Sequence, residues 1–448
     1  MTAGRMWYLK YARVWCCLGL AALVFVAFGR SAHYDFVWDD RVLIGDNPAV
    51  RDAAHWYRLL GRNFWQVGDV MKDPSRTFYR PVVMVSYLAD HAVWGLNPHG
   101  FHLTNLLTHI LGVWFVFHIA LALFGRHTVT AFFAAALFAV HPSHVENVCW
   151  ISGRTDLFCG LFYFLAFGAY LRWAHAERER PVLLGLLCAC YLLALLSKEM
   201  ALSLPLVILA HVALVDRPQA WRNMRPLLWS FAVVTAGYLC VRLVVLGAVM
   251  GPPALGLGER MLLLPMVLAK YLGVLALAVS VDPHHCESLA DSAWSAQYVI
   301  YLAVMLGGLA LLVAEVRSRR LLAAFFGMWV PLTLIPVLNV GTFGDVLYAD
   351  RFLYIPSVGF VFLFGAFVVQ VLERLSMHRP AWRMAVGGAC GLLVCMLMFL
   401  SAGHASYWRD SVSLFRQASR TSPGSAYVHY NLGGALLDNG DYPGALAS

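Results

Sequence analysis

The sequence predicts an all-α, polytopic membrane protein, and three observations lead there. Of 448 residues, 60% are hydrophobic and only 13% are charged. A soluble domain carries about a quarter charged residues, so apolar surface in this excess requires lipid as its solvent. Apolar runs of about twenty residues recur along nearly the whole chain, each long enough for a helix to cross a hydrocarbon core of about 30 Å. The runs are continuous in Leu, Ala, Val and Phe rather than alternating. That selects helices over a closed barrel, the two structures that satisfy backbone groups in lipid.

Taken in order, spans are expected at 14–30, 103–124, 129–146, 155–173, 181–197, 200–215, 226–246, 296–314, 321–338, 352–372 and 384–404, about 11 crossings. The first run follows Arg5, Lys10 and Arg13, and its exit, Ala27-Phe28-Gly29-Arg30, is a poor cleavage site. It therefore reads as a retained anchor. With the N-terminus in the cytosol, Arg126, Arg172, Arg178, Arg180, Arg217, Arg222, Arg225, Arg317, Arg319, Arg320, Arg374, Arg379 and Arg383 all fall in inner loops. This is the positive-inside pattern. It also accounts for the net charge of +8 and leaves no basic stripe for nucleic acid. A crossing at 261–281 would reverse every later loop, so that run is expected on the outer surface as an interfacial or re-entrant helix; Pro265 and Lys270 lie inside it. At Ser197-Lys198-Glu199 a hairpin between two short spans is expected, with one long kinked helix as the alternative.

The cysteines lie mostly inside apolar runs and read as small packing residues. Cys149 and Cys286 fall near outer loops, where one disulfide is conceivable. Two parts are expected: a membrane-embedded domain, 1–404, with a long outer loop at 31–100, and an extracytoplasmic tail, 405–448. In the tail, Ala426-Tyr427-Val428-His429-Tyr430-Asn431-Leu432-Gly433, then Ala435-Leu436-Leu437, Gly440-Asp441-Tyr442 and Ala445-Leu446 fit a first tetratricopeptide-repeat helix and its turn. The pattern is cut at Ser448, as expected of a piece of a longer protein. A plain helical hairpin capping the last span is the alternative.

Several clusters carry chemistry. The outer loop opens Tyr34-Asp35-Phe36-Val37-Trp38-Asp39-Asp40. Of two adjacent carboxylates at a lipid surface, one can serve as general base on a hydroxyl while the other orients it or holds a cation; capping aspartates in a solvated loop are the plainer reading. Arg80 precedes His102, Asn105 and His109, which are spaced to share one helix face, either in a cavity or as an interhelical strip. His141, His144 and Glu146, followed by Arg154 and Asp156, crowd an outer tip. A divalent cation there is conceivable, but the spacing is not a specific zinc pattern. Lys198 with Glu199, and Tyr348 with Asp350 and Arg351, place cations at outer span ends, where phosphate oxygens give a cation a partner; pairing within each cluster is the alternative. Asp282-Pro283-His284-His285-Cys286-Glu287 reads as outer-loop polarity or as a metal site. No Walker-type loop is present, which removes ATP-driven transport.

In order along the chain, Phe36-Val37-Trp38-Asp39-Asp40-Arg41, Tyr79-Arg80-Pro81, His141-Pro142-x-His144-x-Glu146, Gly153-Arg154-x-Asp156, Lys198-Glu199 and Asp350-Arg351-Phe352-Leu353-Tyr354-Ile355-Pro356-Ser357-x-Gly359-Phe360 resemble the transmembrane and tetratricopeptide repeat-containing O-mannosyltransferase family. The resemblance covers nearly the whole chain. It implies a type C glycosyltransferase architecture and a polyprenyl-phosphate sugar as donor, with a Ser/Thr hydroxyl of a protein, or a glycan, as acceptor. It also implies Asp39 or Asp40 as general base, and repeats that bind the acceptor polypeptide. Arg351, Lys198 and Arg154 are the cations inferred to neutralise the leaving lipid phosphate. The segment around Asp282 departs from the eukaryotic pattern. No Asn-x-Ser/Thr sequon occurs in the outer segments, which favours a bacterial inner membrane over the endoplasmic reticulum. The rival readings are a glycan ligase or polymerase, and a non-catalytic scaffold whose repeats recruit a partner.

Overall fold

The computed structural model describes residues 3–67, 70–71, 78–125, 127–176, 180–216, 224–248, 256–278, 296–338, 348–376 and 380–448. Among the described residues the protein is all-α apart from one short antiparallel pair in the first loop, β1 (Gln66–Val67) with β2 (Val70–Met71). The helices are α1 (Ala3–Phe28), α2 (Pro81–Trp94), α3 (Pro98–Leu123), α4 (Thr128–Val140), α5 (Val145–Cys149), α6 (Arg154–His175), α7 (Arg180–Leu195), α8 (Leu204–Leu214), α9 (Met224–Leu246), α10 (Leu257–Leu277), α11 (Ala296–Arg317), α12 (Leu321–Leu334), α13 (Pro356–Ser376), α14 (Pro380–Ala405), α15 (Ser411–Thr421), α16 (Ala426–Asp438) and α17 (Tyr442–Ala447).

Seven helices among the described residues are long and apolar enough to cross a bilayer, and an eighth crossing is made if α4 and the segment Pro142–Cys149 count as one broken span bent by 50°. The chain is thus a multi-pass membrane protein. Four further apolar helices are shorter, among them Arg180–Leu195 and Glu199–Leu214, so length and composition do not by themselves give the expected 11 crossings. The helix is interrupted at Ser197: α7 ends at Leu195 and the chain restarts at Glu199 as a 3-10 turn leading into α8. Of the run at 261–281, residues 261–277 lie in α10, a helix that meets the length and hydropathy of a crossing. Its Leu275 carbonyl is bound by Nε2 of His141.

Helix breaks make the site. Pro142 cannot supply the amide that would extend α4, so the chain leaves the helix there, and the His141 ring accepts the Ser143 N–H as an N-cap. A second break, at Trp150, carries the chain through a 3-10 turn, Ile151–Gly153, into α6. A Cβ on Gly153 would sit 2.7 Å from the Glu146 carbonyl oxygen and 2.9 Å from the Asn147 Cα, so only glycine lets the two turns approach. In the bundle interior α3 packs on α4 and α6, and α12 packs on α13. The buried set around Trp329, Tyr354, Phe138, Phe164 and Phe167 fills the centre.

Candidate functional site

The acidic turn is held at both ends. Asp40 is fully buried. Its Oδ2 accepts the Val37 N–H at 3.0 Å, and its Oδ1 accepts the Ser152 N–H at 2.9 Å and the Ser152 hydroxyl at 2.5 Å. Burial pushes its carboxyl up to about 7, against the opposing pull of these donors. Asp39 is half-buried, so of the pair it is the one turned toward solvent. Trp38, just before it, has φ of 56°, a region that bulky L residues rarely occupy. The Trp38 ring stacks on Trp150 at 5.0 Å, and Trp150 stacks on Trp408 at 5.8 Å.

Arg351 lies against that aromatic stack, and Lys198 meets the Phe352 ring beside it. The Arg351 guanidinium is 5.6 Å from the Trp150 ring and 5.1 Å from the Phe352 ring. Glu146 receives it at 2.5 Å and also accepts the Arg351 N–H at 3.1 Å, so α5 positions the whole 350–353 turn. Nζ of Lys198 sits 4.6 Å from the other contact surface of this cluster, the Phe352 ring, and reaches both oxygens of Asp156 at 2.6 Å. Glu199 lies between two guanidiniums, Arg242 at 2.7 Å and Arg80 at 3.4 Å. Arg80 also lies over Phe78 at 4.3 Å, its Nε is buried with no hydrogen-bond partner, and its side chain keeps 12% exposure. Tyr348 stacks near Tyr271 at 4.7 Å, and Asp350 is within electrostatic reach of Glu146 and His141.

Other predicted residues serve the frame. Arg154 is fully buried and spends its guanidinium on Asp90 at 2.6 Å, Asn105 at 2.8 Å, the Phe101 carbonyl at 2.7 Å and Ser86 at 3.2 Å. Four of its five N–H groups are thereby engaged within the protein. Asn105 also donates to the Trp150 carbonyl at 2.9 Å. His102 binds the Asp35 carbonyl at 3.3 Å, and His109 bridges the Tyr354 hydroxyl and the Ala139 carbonyl. His144 meets the Ser357 hydroxyl at 2.9 Å. The helix face of His102, Asn105 and His109 thus ties α3 to the loop at Asp35, the turn at Trp150, and Tyr354 with α4. Among the described residues no group of three or more His, Cys, Asp or Glu side chains could hold a metal ion. Cys149 is a buried free thiol, and Cys286 and the Asp282–Glu287 cluster lie outside the described residues.

The tail docks on the acidic turn. Asp35 N–H donates to the Arg409 carbonyl at 3.0 Å, Trp38 N–H to the Ser411 hydroxyl at 3.1 Å, and the Trp38 indole N–H to the Tyr427 hydroxyl at 3.1 Å. Arg41 pairs with Asp438. A groove of about 660 Å³ opens between Trp38 and Arg41 on one side and His429, Tyr430, Asn431 and Gly434 on the other.

Sequence reasoning missed two of these residues. Arg242 was legible as a lone charge in an otherwise apolar span, a default sign of function. Ser152 carried no signal, because its role depends on the turn that Gly153 permits.

No protein-family model matches the chain. It is 26% identical to human "Protein O-mannosyl-transferase TMTC4", over 96% of this chain and 65% of that protein. It is 26% identical to human "Protein O-mannosyl-transferase TMTC1", over 94% of this chain and 53% of the relative. A shorter stretch, 41% of the chain, is 36% identical to "Protein O-mannosyl-transferase Tmtc1" of Drosophila melanogaster and covers 21% of it. The chain spans about two thirds of the length of the first of these relatives, or less. Among solved structures it is similar to ArnT from Cupriavidus metallidurans bound to undecaprenyl phosphate, with 16% identity and a TM-score of 0.47 over 97% of this chain and 74% of that one. Along nearly its whole length, then, the chain is similar to curated proteins named as protein O-mannosyl-transferases of the TMTC group.

Proposed function

We propose that this protein is an integral-membrane glycosyltransferase of type C architecture that moves a sugar from a polyprenyl-phosphate donor to a hydroxyl of a protein or glycan on the extracytoplasmic side. The observation that carries the reading is a fixed acidic turn whose Trp38 stacks on Trp150, with the Arg351 guanidinium against the same Trp150 ring. The relatives named as protein O-mannosyl-transferases support it, and a protein Ser or Thr is the acceptor their names favour.

The chemistry follows from the arrangement. Asp39 takes the proton of the acceptor hydroxyl as its oxygen attacks the anomeric carbon. The bond from that carbon to the phosphate oxygen breaks, and the lipid phosphate leaves with the electron pair. Arg351, Lys198 and Arg80 neutralise it through charge-assisted hydrogen bonds. Asp40 stays on Ser152 and orients the turn. The groove between Trp38 and α16 suits an extended acceptor polypeptide, because its wall is one residue from Asp39, and residues 405–448 are read as the beginning of the repeats that present that polypeptide. The same side of the membrane then carries the first loop and the tail, and the cytosol carries the N-terminus; a bacterial inner membrane is the location the sequence favours.

The test is transfer by purified protein in lipid nanodiscs, with polyprenyl-phosphate sugars and a Ser-containing peptide. Glycopeptide formation that Asp39→Asn abolishes without changing thermal stability is the expected result. Full transfer by Asp39→Asn overturns the base assignment, and no transfer from any polyprenyl-phosphate sugar overturns the reading.

A further inference from the structure

We propose that Trp38 is a positioning residue through which the tail sets Asp39. The inference rests on the reading of Asp39 as base and adds how that base is held. Asp39 stands between two anchored neighbours. On its C-terminal side Asp40 is tied to the bundle through Ser152. On its N-terminal side Trp38 is tied to the tail through Ser411 and Tyr427.

Neither anchor suffices alone. The φ of 56° at Trp38 is a conformation that persists in a bulky residue only when the surroundings over-determine it. The bundle supplies one constraint, the stack on Trp150, whose indole N–H also donates to the Val37 carbonyl at 3.3 Å. The tail supplies the rest: the Ser411 hydroxyl on the Trp38 amide, the Tyr427 hydroxyl on its indole, and Phe415 against its ring edge at 6.2 Å. Arg41–Asp438 and Asp35–Arg409 fasten the turn on either side. If α15 and α16 let go, Trp38 relaxes to an ordinary backbone conformation. The peptide plane that it shares with Asp39 turns with it, and the carboxylate leaves its aligned direction. The tail is therefore part of the site's alignment as well as a surface for a partner.

Tyr427→Phe and Trp38→Phe each delete the same hydrogen bond while keeping an aromatic ring, and Tyr427 lies on α16, outside the residues assigned to the reaction. In full-length protein in nanodiscs, hydrogen exchange at the Trp38 amide is expected to speed up in Tyr427→Phe. With a polyprenyl-phosphate mannose and a Ser-containing peptide as probes, kcat is expected to fall by about tenfold or more, with KM for the lipid unchanged. The double variant is expected to be no slower than the slower single one, because one bond is lost in all three. Unchanged exchange in Tyr427→Phe overturns the coupling, whether or not the protein transfers sugar. Faster exchange with full kcat, or losses that multiply in the double variant, overturns the positioning role. An unmodified protein that transfers nothing bears on the function proposed above, and the exchange result still decides the coupling. If Trp38→Phe does not fold, Tyr427→Phe carries the test alone.

Discussion

At the residue scale, the two adjacent aspartates separate by environment. Asp40, with a carboxyl pushed up to about 7 from 3.8, binds its proton more tightly folded than unfolded. Its contribution to stability is therefore present in full below the unfolded value and lost as pH rises through about 7. Asp40→Asn removes that titration. Calorimetric melting of both proteins is expected to show the wild type's advantage shrinking as pH climbs from 4 to 7; an advantage that grows would place the carboxyl's shift in the opposite direction. Arg80 is the other residue with a sharp expectation. Its hydrogen bond to Glu199 is long, at 3.4 Å, so Arg80→Ala is expected to cost little stability, about 1 kcal/mol. It is expected to weaken binding of polyprenyl phosphate by about tenfold, read by ligand-induced thermal shift. The acid pair was visible in the sequence as a pair. Which member faces outward was not, because that depends on Ser152, 112 residues away.

At the element scale, the informative pieces are helix breaks. The Lys198-Glu199 interruption was readable from local chemistry, whereas the span expected at 129–146 ran through Pro142, where the structure ends the helix at Val140. The α3 face of His102, Asn105 and His109 was readable from spacing. Its partners, Asp35, Trp150 and Tyr354, come from three other segments and had no local trace. The same holds for Arg154, whose Asp90, Asn105 and Phe101 partners make it a rivet between α2, α3 and α6. Arg154→Met is expected to destabilise the fold by about 3–5 kcal/mol, since Asp90 would remain as a buried charge without its cation. Gly153→Ala is expected to cost about 1–3 kcal/mol through crowding of two backbone turns. Chemical or thermal unfolding in detergent measures both, and a neutral Gly153→Ala would mean that the turns are looser than their spacing indicates.

At the scale of the whole molecule, hydropathy gave the bundle and charge asymmetry gave an orientation. The segment at 261–281 shows the limit of both. Its composition meets the requirement for a crossing, while the arginines after it favour an outer placement, and only contacts distinguish these, such as the one from His141 to Leu275. The tail and the acidic turn share one end of the protein through direct hydrogen bonds. A cysteine at the exposed position Tyr430 is therefore expected to react with a membrane-impermeant maleimide from the side that holds Asp39. Labelling of Tyr430→Cys only from the N-terminal side would separate the tail from the acidic turn.

These cations of the candidate site already rest on carboxylates of the bundle: Arg351 on Glu146, Lys198 on Asp156, and Arg80 and Arg242 on Glu199. On the proposed function, a phosphate arriving there would enter by counter-ion exchange, loosening resident carboxylates that stay covalently at hand. Once the sugar had gone, those carboxylates would compete for their cations again and help to evict the spent carrier. Internal ion pairs of this kind would moderate how tightly a carrier is held, favouring turnover over capture.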